Sequence, residues 1–183
     1  LVTPLLIDRK IRFALHANTL DGLLDGLARH QLDVALTNGD VRGSDEQLWQ
    51  SQLLASQPVS IVGPPELRPE TTFPHGYEGK YWVLPSRDSE VRRAFDGLCT
   101  LWQYAPDIQA EADDMAMLRL LARDGDALAV LPTVVVRDEI RRGQLVEYMT
   151  LPNVFEYFYA ITIKRSYVPR ALQTLLVDIG RVE

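Results

Sequence analysis

"DDMAMLRLLARDGDALAVLPT", Asp113 to Thr133, decides the fold. Met115, Leu118, Leu121 and Ala122 recur at helical spacing, Asp113 or Asp114 is placed to cap the start, and Gly125 stops the end. Ala127 to Leu131 is then an unbroken apolar run closed by Pro132, as expected of a strand buried on both faces. Thr133 is placed to cap a short helix that runs to Gly143. A helix feeding such a strand belongs in an α/β fold, with helices covering a sheet.

The flanks repeat this logic. "KYWVLP" (Lys80–Pro85) reads as a strand, and "SRDSEVRRAFDGLCTLWQY" (Ser86–Tyr104) as a helix with Val91, Phe95, Leu98 and Trp102 on one face and Ser89 as cap. Downstream, "QLVEYM" and "FEYFYAITIKR" read as two strands, and Pro169 opens a helix with Leu172, Leu175, Leu176 and Ile179 inward. Near the start, Ile11, Phe13 and Leu15 alternate as a strand. Leu20, Leu23, Leu24 and Leu27 follow on a helix capped by Thr19 or Asn18, and "LDVALT" is a second strand. Two strands joined by a crossover helix predict a parallel sheet, whose ligand loops lie beyond the carboxyl ends of its strands. Those loops are "HANT" and "TNGD". The expected architecture is α/β with two Rossmann-like lobes. Lobe I is residues 1–74 plus 152–183, lobe II is 76–151, and the Pro-rich segment Val62–Gly76 passes between them.

Composition narrows the function. The chain has 183 residues, 46% hydrophobic and 24% charged, as in a globular protein. A net charge of -6 argues against this chain gripping a nucleic-acid backbone by itself. Cys99 is the only cysteine, which excludes a disulfide framework and a thiolate zinc cluster and suits a reducing cytoplasm. No apolar run reaches the roughly 18 residues of a membrane span, and "LVTPLLIDRK" lacks the order of a signal peptide.

The order of "LLDGLARHQLDVALTN" and "MLRLLARDGDALAVLPTVVVRDEIRRGQLVEY" resembles the effector-binding domain of LysR-type transcriptional regulators. Leu32 to Leu36 matches that family's helix-turn-strand of the first lobe. Leu121 to Pro132, followed by Gly143 and Leu145, matches its second-lobe segment. "EADDMAMLRLL" and "FEYFYAITIKR" are similar to the subgroup that activates sodium/proton antiporter genes. Asp126 departs from the pattern, standing where the family has its second glycine. The resemblance implies the type II periplasmic-binding-protein fold, mainly parallel sheets and an interlobe cleft for a small molecule or ion. It also implies a homodimer or homotetramer, and DNA contact only through an amino-terminal winged helix-turn-helix that is absent from this chain. Carried over residue by residue, the effector positions are His16, Asn18, Thr19, Asn38, Ser86, Arg87, Asp114 and Thr133. The helices Leu20–Leu27 and Val91–Trp102 are candidate subunit surfaces.

The chemistry of these positions points both ways. Asp113 and Asp114 favour a cation, although one of them caps a helix. Arg87 and the helix starts at Thr19, Ser89 and Thr133 favour an anion. His16, His30 and His75 lie apart, with no metal spacing between them. "RDGDA" lacks the alternating oxygens of a calcium loop. The nucleophile elbow, zinc-protease and phosphate-loop motifs are all missing. Cys99 falls on an apolar helix face and reads as an inert thiol. The expectation is a ligand sensor with no cofactor, no metal and no catalytic residue. The other readings are a free solute-binding protein and a small enzyme using Asp113 or Asp114 as a general base.

Overall fold

The computed structural model describes residues 12–41 and 49–163. In chain order its elements are α1 (Leu20–Ala28), β1 (Ala35–Thr37), β2 (Trp49–Gly63), β3 (Tyr81–Pro85), α2 (Glu90–Leu101), β4 (Asp107–Ala112), α3 (Met115–Asp124), β5 (Ala127–Pro132), α4 (Arg137–Arg141) and β6 (Val146–Ile163). Single 3-10 turns cover Pro65–Leu67 and Thr133–Val136. Hydrogen-bonded neighbours follow the order β1-β6-β2-β5-β3-β4.

The chain divides into two compact units, one drawn from Leu1–Ser56 and Tyr157–Glu183 and the other from Gln57–Glu156. Both β2 and β6 pass from one unit into the other.

In the Gln57–Glu156 unit the period-two alternation of the strands sorts side chains onto two faces. Trp82 and Leu84 of β3, with Leu128 and Val130 of β5, meet Val91, Phe95 and Cys99 of α2. Val83, Ala129 and Leu131 instead meet Leu118 and Ala122 of α3. Helices on opposite faces explain why all six residues of β5 are buried. Phe73 closes the α2 side, with ring centroids 5.0 Å from Tyr77, 5.2 Å from Trp102 and 4.9 Å from Tyr104. In the other unit Leu27 of α1, Ala35, Val41 and Ile161 form a small core.

The caps follow side-chain chemistry. The Thr19, Ser89 and Asp114 side chains accept from the backbone N–H of Gly22, Arg92 and Met117, and Gly125 ends α3. Thr133 differs from expectation. It is the first residue of a 3-10 turn whose cap position is Pro132, and its hydroxyl makes no capping bond.

Other expectations are corrected. Residues 12–19 form no strand, because an alternating run needs a neighbour for its backbone groups. None of the described strands pairs with them, and Leu15 is 73% exposed. The sheet is mixed. The β3–β4 and β3–β5 pairs are parallel, while β2–β5 and β1–β6 are antiparallel. The strands β2 and β4 were not anticipated. The two carboxyl-terminal strands are one, β6, which continues through Asn153 at φ 58. The helix expected after Pro169 lies outside the described residues.

Candidate functional site

Parallel pairing brings the carboxyl ends of β3 and β4 together, with Pro85 opposite Ala112, and β5 runs alongside β3 with Val83 opposite Ala129. The residues that follow these strands, Ser86 and Arg87, Asp113 and Asp114, and Thr133, therefore share one edge of the Gln57–Glu156 unit. The Ser86 N–H donates to Ala112 O at 2.9 Å, and the Ser89 N–H donates back to Ser86 O at 3.0 Å, closing the β3 loop into a tight turn.

A buried arginine braces this edge from below. Arg92, in the first turn of α2, has a side chain only 4% exposed. Its Nε donates to both Asp96 oxygens at 2.9 and 3.0 Å, and Nη1 donates to Pro85 O at 3.1 Å and to Glu111 Oε1 at 2.8 Å. Burial works against the Arg92 charge, but the bonds to Glu111 and Asp96 outweigh it and raise its pKa. The bond from Arg92, opposed by partial burial, holds Glu111 below the usual carboxylate range. Arg87 reaches the same Glu111 oxygen only at 3.5 Å and from a side chain 79% exposed, so it remains available to solvent. Asp114 spends one oxygen on its cap, 2.8 Å from the Met117 N–H.

The remaining expected residues belong to the other unit. His16, Asn18, Thr19 and Asn38 are all exposed. Asn18 folds over the first turn of α1, where its side-chain oxygen accepts from the Thr19 N–H at 2.8 Å. A Cβ at Gly22 would come within 2.5 Å of that exposed Asn18 side chain, which would have to swing aside. Asn38 follows β1, beside the Thr37 hydroxyl that donates to Gly39 O at 2.8 Å. The structure thus places four of the eight predicted residues on one edge and four in the other unit.

Sequence reasoning missed Arg92 and Glu111. The Arg92–Asp96 spacing of four on one helix was the available signal for the first. Nothing in "DIQAEA" singled out the second. Cys99 is buried in the α2 core, where burial, and after it Asp96, pushes its thiol up to about 12. Among the described residues no three His, Cys, Asp or Glu side chains gather as a metal set.

A family model, the LysR substrate binding domain, matches residues 8–178. The chain belongs to this family. Over 160 residues it is 26% identical to the transcriptional activator protein NhaR of Escherichia coli strain K12, covering 86% of this chain and 52% of that protein. Over 179 residues it is 28% identical to the HTH-type transcriptional regulator CbbR of Cereibacter sphaeroides, covering 90% of this chain and 54% of that protein. The chain spans about half the length of the curated relatives it matches. Among solved structures, Vibrio fischeri DarR in complex with DNA shares its fold with a TM-score of 0.74 at 17% identity, over 98% of this chain and 63% of that one. The α/β fold is that of LysR-type regulatory domains, the type II periplasmic-binding-protein kind.

Proposed function

We propose that this LysR substrate-binding domain is the effector-sensing part of a transcriptional regulator, and that a small molecule or ion binds at the strand-end loops. The observation that carries this reading is the shared edge of β3, β4 and β5, which sets Ser86, Arg87, Asp114 and Thr133 side by side on a braced platform. His16, Asn18, Thr19 and Asn38 remain candidate effector contacts within their own unit. DNA is contacted by a helix-turn-helix elsewhere in the whole protein, and the effector acts by binding one conformational state better than another. The domain works without cofactor or metal and is not an enzyme. No described helix is long and apolar enough to cross a membrane, and the cytoplasm is the proposed location.

Assembly as a homodimer or homotetramer is part of the same proposal. The apolar face of α2 is taken up by its own core through Val91, Phe95 and Cys99. The outer side of α3, with Met117 at 51% and Leu120 at 41% exposure, supports a subunit surface better.

A thermal-shift screen with sodium, lithium, stepped pH and small organic acids tests the reading, because a ligand of the folded state stabilises by about 2.7 kcal/mol at a hundred times its Kd. The expected result is one compound that raises the melting midpoint of the wild type and not of Arg87→Gln or Asp114→Asn. A compound equally effective on all three proteins counts against the strand-end site.

A further inference from the structure

Asn38 and Gly39 follow β1 and form the only Asn-Gly pair of the chain. Such a pair favours a turn, and here the Thr37 hydroxyl closes that turn on Gly39 O at 2.8 Å. Asn38 is exposed. Among the described residues neither its side chain nor the Gly39 N–H has a hydrogen bond. A Cβ built on Gly39 would meet no atom within 4 Å, so nothing crowds the backbone beside the Asn38 amide. A carboxamide and an unbonded backbone nitrogen in adjacent residues are reactants already held together, and glycine leaves the approach between them unhindered.

The two other asparagines lack these conditions. Asn18 precedes Thr19, whose β-branched side chain shields the nitrogen and whose N–H already donates to Asn18 Oδ1 at 2.8 Å. Asn153 lies within β6 and precedes Val154, which is also β-branched and is buried.

We propose that Asn38 is a site of spontaneous deamidation, a covalent change that gives the loop after β1 a negative charge as the protein ages. The Gly39 nitrogen attacks Asn38 Cγ, so that an N–Cγ bond forms and the Cγ–Nδ2 bond breaks. Ammonia leaves with the proton that the Gly39 nitrogen gives up, and a succinimide ring remains. Water then opens the ring at either carbonyl. Attack at Cγ leaves aspartate in the ordinary backbone, and attack at the main-chain carbonyl leaves isoaspartate, with the chain rerouted through Cγ. Either product replaces two N–H donors with an acceptor-only carboxylate and makes the net charge of -6 one unit more negative. Isoaspartate also adds a methylene to the main chain, directly after the rung at which Thr37 pairs with Tyr159. The reaction is a property of the loop itself and stands apart from effector binding at the strand ends.

Incubation of the 183-residue chain at 37 °C and pH 7.4, then trypsin digestion at mildly acidic pH and mass spectrometry, tests the proposal. Trypsin releases residues 30–42, which contain Asn38 and no other asparagine. This peptide gains aspartate and isoaspartate forms at least about tenfold faster than the peptides with Asn18 and Asn153, a ratio equivalent to about 1.4 kcal/mol of barrier. The rate rises from pH 6 to pH 8, because the attacking nitrogen must lose its proton. Gly39→Ala slows the reaction at least about tenfold by restoring a side chain beside that nitrogen, while the melting midpoint holds because the added Cβ meets nothing. A synthetic 30–42 peptide, free of the fold, reacts within about tenfold of the rate in the folded chain. Asn38 left intact in the folded chain while the free peptide deamidates, conversion no faster than at Asn18 and Asn153, or an unchanged rate in Gly39→Ala overturns the proposal.

Discussion

Replacing Arg92 by Met tests whether the strand-end platform is held from below. The substitution keeps the apolar stem and deletes a guanidinium that is 4% exposed. Pro85 O then loses a charged donor, which costs about 1–3 kcal/mol. Asp96 and Glu111 are 48% and 35% exposed, so water replaces much of what they lose, and each adds less than about 1 kcal/mol. Burial of the Met thioether in place of the charge returns part of the total. The net is about 2 kcal/mol, or roughly 4–8 °C in melting midpoint for a chain of this length. Urea unfolding followed by tryptophan fluorescence measures it, since Trp82 and Trp102 both lie in the core cluster that α2 covers. Arg92→Lys, which retains one charge and loses the forked geometry, falls between. Stability of Arg92→Met within about 0.5 kcal/mol of the wild type refutes the idea of a brace, because ordinary surface substitutions fall in that range.

Three further outcomes are expected. Burial works against the Glu139 carboxylate, but the hydrogen bond from Arg119 prevails and holds its pKa below the ordinary value. Its stabilising contribution is therefore present above about pH 4.3 and lost as pH falls through the lower folded pKa, so urea midpoints of the wild type drop with acid more steeply than those of Glu139→Gln. Cys99, with its thiol pushed up to about 12, resists iodoacetamide at pH 8 in the folded chain and reacts readily in guanidinium chloride; alkylation at equal rates in both conditions contradicts its burial. Asp114→Ala removes the α3 cap and costs about 1 kcal/mol, whereas Asp114→Asn keeps most of that cap, a difference that thermal melts resolve.

What the sequence made legible depended on how strongly local pattern and final environment agreed. The stretch 113–133 showed its helix, stop and buried strand because cap, apolar face and glycine all point to the same structure. The β2 strand was hidden: "WQSQLLASQPVSIVG" carries Pro58 near its middle, and Pro58 lies beside the point where the chain passes from one unit to the other. The β4 strand, "DIQAEA", lies at the sheet edge with every second residue exposed, so it lacks the apolar run that marks its neighbours. Where two strands were expected, β6 runs on through Pro152 and Asn153, the latter at φ 58. For the candidate site, Ser86, Asp114 and Thr133 came from the family resemblance, and the pairing of β3 with β4 and β5 sets them on one edge. The brace did not, because Arg92, Pro85 and Glu111 meet through tertiary packing of α2 on the β3–β4 pair.

The path of β2 and β6 also orders events during synthesis. Residues 57–156 form an uninterrupted unit that holds β3, β4, β5 and the inner ends of both long strands, so every pairing within it is available once Glu156 has been made. Among the described residues Ala35, Leu36 and Thr37 of β1 pair with Ile161, Ala160 and Tyr159, which are made after that unit is complete. A nascent chain emerging from the ribosome therefore carries Ala35–Thr37 without their β6 partners throughout the translation of more than a hundred residues.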